Sequence, residues 1–202
     1  QPLGRLPAGF PLGRPDEHEA ALLPGGGLLR HVDHRVERAH AVCPVTAIQN
    51  RYSMMARHYE TLFPTLERWG VGFVSFSPLA NGFLSGQYRG TEAFDKVSDY
   101  RSVMPLFTRE AYEQNQTLLK LLEDLASEKG ASKAQISLAW MLAKKDWIVP
   151  IPGSRNLASL KENAQAADVT LTASEAAAID AALNAIPMSA VYGGVVTKEK
   201  ED

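Results

Sequence analysis

The sequence predicts an α/β fold built on a parallel sheet, and three observations carry that reading. Short β-prone runs recur at 45–49, 71–76 and 147–149. Segments with leucines and aromatics at helical spacing separate them, and strands alternating with helices imply neighbouring strands that run parallel. The third run continues into Ile151-Pro152-Gly153-Ser154-Arg155, a turn that leads to a new helical pattern at Leu157 and Leu160.

Residues 1–35 carry Pro2, Pro7, Pro11, Pro15 and Pro24 together with Gly25-Gly26-Gly27 and hold no period of two or 3.6, so neither helix nor strand is expected there. Residues 36–42 read as the end of a helix that Cys43-Pro44 closes, because the residue before a proline is driven out of the helical region. The run at 45–49 is the first strand and 50–56 a loop. Tyr59, Leu62, Phe63, Leu66 and Trp69 recur at helical spacing, with Pro64 early and Gly70 at the end. After the second strand, Pro78, Asn81, Gly82 and Gly86 make 77–86 a loop, and polar, aromatic 87–107 extends it. A connection that long is rare unless it serves a site, so it is expected to cover one. Leu118, Leu119, Leu121, Leu122 and Leu125 set the face of a helix running from Thr108 to Lys129, and Gly130 ends it. A second helix starts at Ser132 and leads into the third strand. Another runs from Thr172 or Ser174 to Leu183, and an extended tail ends in charge.

Composition bounds the function. With 45% hydrophobic and 22% charged residues the chain is of the soluble globular kind, and its apolar runs fall short of the ~20 residues a membrane-crossing helix needs. A net charge of −2, from 21 basic and 23 acidic residues, leaves no electrostatic footprint for nucleic acid. Cys43 has no second thiol for a disulfide or a metal site, and the start lacks a basic-then-apolar signal. The expected address is the cytoplasm, with no metal and no membrane partner. Three stretches divide the chain: irregular 1–35, a folded part at 36–194, and a charged tail at 195–202.

In parallel sheets ligands sit at the carboxyl ends of the strands. Gln49, the run Phe76-Ser77-Pro78-Leu79, and Gly153-Ser154-Arg155 all lie at or just past such ends. Together they offer an amide for an amide, a ring for a flat ring, and N–H groups, hydroxyls and a guanidinium for phosphates. A nicotinamide dinucleotide carries all three parts. Plainer readings stand beside this one: Gln49 as a strand-end amide satisfied by backbone, Phe76 as core, and Ser77-Pro78 or Gly153-Ser154 as ordinary turns.

With those residues in view, the chain resembles the C-terminal part of an aldo-keto reductase, a family of (β/α)₈ TIM barrels that use NADPH to reduce carbonyls. The resemblance runs from about residue 39 to 194. It rests on the stretch 45–53, on Phe76-Ser77-Pro78-Leu79-Ala80-Asn81-Gly82, and on Ile151-Pro152-Gly153-Ser154-Arg155 with Leu160-Lys161-Glu162-Asn163. It implies three strand–helix units, with the N-terminal half of the barrel absent. It also implies roles: Gln49 bonds the nicotinamide amide, Phe76 stacks on the ring, and Ser77, Pro78, Leu79 and Gly82 line the pyrophosphate. Gly153, Ser154 and Arg155 take the adenosine 2′-phosphate, and Glu162 and Asn163 the adenine. Ser159 stands where many relatives carry a basic side chain, which weakens discrimination for that phosphate.

The family's catalytic Asp, Tyr, Lys and His belong to the first half of the barrel, and nothing in residues 1–38 matches them, so no catalytic residue is assigned. One allowed back-translation of Leu29 to His34, read one base later, begins Ser-Asp-Thr-Ser-Thr, much like the segment the resemblance calls for. Residues 1–35 are therefore expected to be an out-of-frame reading. The leading function is NADPH-dependent reduction of aldehydes and ketones, with a small carbonyl substrate. The chain alone is expected to be inactive and to self-associate through open sheet edges. A non-catalytic nucleotide-binding subunit or a non-functional fragment is the alternative.

Overall fold

The computed structural model describes residues 27–91 and 93–192, the side chains of 27–34 excepted. The expectations for residues 1–26 and for the charged tail lie outside the described residues. Helix α1 spans Gly27–Val42 and so begins before residue 36, where the irregular segment was expected to end. Past the glycine run, Leu28, Val32 and Val36 fall four apart, a helical spacing that the short window hid. His40 then closes the helix by accepting a hydrogen bond from the Val45 N–H at 3.2 Å.

That contact shifts the first strand. Strand β1 is Ala47–Arg51 rather than 45–49, β2 is Gly72–Phe76 and β3 is Ile148–Pro150. The three form one parallel sheet in the order β1-β2-β3, with Gln49 opposite Val74, Arg51 opposite Phe76, and Val74 opposite Val149. Alternation along the strands gives the sheet two unlike faces. Phe73, Ser75 and Ile148 are buried on one face, and Tyr52, just past β1, joins them. Tyr52 stacks on Trp140 at 5.5 Å between ring centres and meets Phe63 and Phe73 edge-on. On the other face Val74 is only half-buried, and Phe76 and Val149 are exposed.

Among the described residues, helices cover the first face only. The helix expected at 59–69 divides into a 3₁₀ turn at His58–Leu62 and helix α2 at Phe63–Trp69, because Pro64 has no N–H to give and fits only in a first turn. The single helix expected from 108 to 129 also divides, into α3 (Arg109–Gln114) and α4 (Gln116–Lys129). Asn115 breaks it. Its buried amide donates to the Ala111 carbonyl at 2.8 Å and to Ser189 Oγ at 2.7 Å, and its oxygen accepts the Ser189 N–H. Helix α5, Lys133–Lys144, starts on a reciprocal cap between Ser132 and Gln135, as the sequence led one to expect. Helices α6 (Leu157–Ala164) and α7 (Ala173–Ala185) follow β3, and Thr172 with Glu175 makes a second such cap. A polar brace ties this layer together. Tyr52 Oη donates to Glu60 at 2.6 Å, and Lys144 reaches Glu60 and Asp180 at 3.2 and 2.6 Å. The Trp140 indole N–H also donates to Asp180, at 2.9 Å.

Candidate functional site

The carboxyl ends of β2 and β3 lie side by side, and the chain leaves each in an unusual way. Beyond Phe76 the backbone turns left-handed at Ser77 (φ 50°), Ala80 (47°), Asn81 (54°) and Gly82 (93°). Three of these are not glycine, and such conformations cost on the order of 1–3 kcal/mol each, so the rest of the structure must hold them. Ser77 Oγ donates to Asn81 Oδ1 at 2.7 Å, and the Tyr192 hydroxyl lies 3.0 Å from Ser77 Oγ and 3.3 Å from Asn81 Oδ1. A Cβ on Gly82 would come within 3.2 Å of the Tyr88 ring, so glycine is what lets the loop close there.

Beyond β3 the chain passes through Gly153, where a Cβ would meet nothing within 4 Å. The turn's N–H groups are only partly free. The Ser154 hydroxyl accepts the Asn156 N–H and donates to the Asn156 carbonyl, both at 3.1 Å, and the Asn156 side chain accepts from Ala158 N and Ser159 N at 2.8 and 3.3 Å. The N–H groups expected to be offered to phosphates here are thus fewer at the start of the helix, where Asn156 caps two of them.

Between these two turns lies a hollow of about 430 Å³. Ser77, Pro78, Leu79 and Gly82 line one side, Gly153 and Ser154 another, and Glu162 and Asn163 of α6 the floor. Eight of the residues singled out in the sequence therefore share one space. Three do not line it. Arg155 is exposed on the turn, while Gln49 and Phe76 look out from the open face of the sheet. Phe76 is 38% exposed, which removes the reading of it as core.

Sequence reasoning missed Asn81, Tyr88, Arg101 and Tyr192. Tyr88 and Arg101 line the hollow from the polar, aromatic stretch after residue 86, so that stretch does reach over a site. Arg101 donates to the Tyr88 hydroxyl and stacks 4.5 Å from the centre of Phe94. Its hydrogen bonds to Asp99 pull that carboxyl down to about 2, and the charge of Arg155 adds a smaller pull in the same direction. Among the described residues no group of three His, Cys, Asp or Glu side chains could hold a metal ion, and no helix is long and apolar enough to cross a membrane.

Comparison with known proteins agrees on one family. A family model described as the aldo/keto reductase family matches residues 31–184. Aldo-keto reductase str7 of Strobilurus tenacellus is 34% identical over 148 residues, which is 71% of this chain and 44% of that protein. The thermostable aldo-keto reductase Tm1743, solved with the inhibitor epalrestat, superposes with a TM-score of 0.51 at 25% identity, over 72% of this chain and 43% of that one. The glycerol dehydrogenase AKR11B4 of Gluconobacter oxydans gives a TM-score of 0.68 at 22% identity, over 77% and 48%, and bears on the fold alone. This chain spans less than half the length of each. The parallel three-stranded sheet with its helices is accordingly part of a TIM barrel. With a match that covers most of the chain, this protein belongs to the aldo/keto reductase family.

Proposed function

We propose that these residues form the NADPH-holding part of an enzyme that reduces aldehydes and ketones to alcohols. One observation carries the reading: the hollow at the ends of β2 and β3, where eight residues of suitable chemistry converge from three segments. The donor set fits a dinucleotide. Ser77 and Ser154 bring hydroxyls, the turn at Gly153 leaves open backbone that an anion can approach, and the half-buried Glu162 with the buried Asn163 gives an acceptor and an amide for a base. Pro78 and Leu79 keep the wall between them dry. Arg155, exposed beside Ser154, is placed to reach a 2′-phosphate at the rim. Gln49 and Phe76 share the open face, so an amide and a ring are available to a nicotinamide that leaves the hollow past Ser77.

NADPH would supply the hydride; the chain's own residues bind, orient and exclude water. Carbonyl reduction also needs a proton donor near the oxygen. Tyr52 is not that donor. Its hydroxyl donates to Glu60 on the helix-covered face, and burial first, then that bond, push its pKa far up.

Arg155→Ala tests the reading by calorimetric titration of both cofactors. A charge-assisted contact to a phosphate is worth ~1.5–3 kcal/mol, so NADPH should weaken by roughly 10- to 150-fold while NADH, which lacks that group, barely changes. Equal loss for both would remove Arg155 from the site.

A further inference from the structure

Strand β1 ends in Arg51, whose guanidinium packs on a single ring and, among the described residues, pairs with no carboxylate. Arg51 lies two residues past Gln49 and opposite Phe76, so it belongs to the open face of the sheet. Its guanidinium carbon sits 4.2 Å from the centre of the Tyr192 ring. Tyr192 is itself fixed by the contacts of its hydroxyl with Ser77 and Asn81. Arg51 Nε is buried without a hydrogen-bond partner, and among the described residues no carboxylate pairs with the guanidinium. A buried donor left without an acceptor is disfavoured, so the guanidinium is held here at a cost that an anion on its terminal nitrogens would offset. Stacking on Tyr192 holds the guanidinium, and its two terminal nitrogens are left to grip a planar anion. Burial first, and then the charge of Arg51, hold the nearby His58 below its ordinary pKa.

The phosphate-side residues cannot account for this group. They gather between the ends of β2 and β3, whereas Arg51 ends β1, on the far side of β2. We propose that Arg51, held by Tyr192, binds the carboxylate of the carbonyl substrate, so that this site favours oxo-acids over uncharged aldehydes and ketones. The proposal rests on the reading of Phe76 as the surface for the nicotinamide, because that places the reacting carbonyl on the face that Arg51 shares.

The test uses the full chain labelled with ¹⁵N, and reads the side-chain Nε–H signal that Arg51→Lys removes. Phenylglyoxylate is titrated against its methyl ester, which has the same ring and ketone without the charge, and against acetate. The expected result is a shift of the Arg51 signal by phenylglyoxylate, at least tenfold tighter than the ester or acetate. Followed on the backbone signals of residues 49–52, Arg51→Met should abolish that preference, and Arg51→Lys, which keeps charge but loses the fork, should reduce it several-fold. Equal binding of acid and ester overturns the proposal, and so does equal binding of acetate, which would make this a general anion site. NADPH is titrated separately onto the backbone signals of residues 77–82. If it moves them while phenylglyoxylate leaves Arg51 unmoved, the substrate proposal fails and the cofactor reading stands. If the acid moves Arg51 and NADPH moves nothing, Arg51 binds carboxylates but the cofactor reading fails, and the assignment of that carboxylate to a reducible substrate is overturned with it.

Discussion

Phe76 separates binding from packing at the level of a single side chain. A ring that is 38% exposed contributes little to the core, so Phe76→Ala should change the unfolding free energy by under ~1 kcal/mol. The same change removes a flat surface from the proposed nicotinamide position and should weaken NADPH by at least ~1 kcal/mol. Denaturant unfolding and cofactor titration on one preparation decide it: a large stability loss at unchanged affinity would return Phe76 to the core. Some residues were legible in the sequence and others were not, for a physical reason. Gly153 and Ser154 stand in a local strand–turn–helix pattern that a short window can read. Tyr192 touches Asn81 across 111 positions, and no local period announces such a pairing. Arg51 was hidden differently, since its meaning depends on β1 running to Arg51 and on the face that this register assigns to it.

Helices α5 and α7 meet through Asp180, which accepts from the Trp140 indole and from Lys144 at once. Asp180→Ala leaves a buried indole N–H without its acceptor and the Lys144 ammonium with Glu60 alone, and should cost ~1–3 kcal/mol in denaturant unfolding. A change within experimental error would show that the brace is replaceable by water. Helix α7 also carries a pH signature. Lys129 first, and Thr172 after it, hold the Glu175 carboxyl down to about 2 from its ordinary 4.5. A depressed folded pKa means that the contribution is complete above pH 4.5 and disappears as the pH falls towards 2. Unfolding followed from pH 6 to pH 2 should therefore lose less stability in Glu175→Gln than in the parent; parallel curves would contradict the cap. Element boundaries were less legible than element types. The helix start at Ser132 was readable and the later one lay between Thr172 and Ser174 until the cap on Thr172 settled it, but the break at Asn115 depends on Ser189, and the shift of β1 depends on His40. Both are tertiary contacts that override a local pattern.

Among the described residues the molecule is a sheet covered on one side. Val149 and Ile151 are exposed at 53% and 44%, and β1 and β3 each have one edge unpaired among the described residues. Open edges beside apolar surface favour association, so sedimentation should show species larger than a monomer at micromolar concentration. A single monomeric boundary there would contradict this. With Tyr52 sealed against Glu60, the account also expects no oxidation of NADPH by the 202-residue chain over a panel of small aldehydes; turnover above background would reveal a proton donor on the open face. The central claim is that the ends of β2 and β3 hold NADPH, and the most direct measurement is a titration of NADPH into the ¹⁵N-labelled chain, checked for cooperative unfolding. Shifts should concentrate at residues 77–82, 153–155 and 162–163; a folded chain whose signals stay still at those positions, or move only elsewhere, would show that NADPH does not bind there.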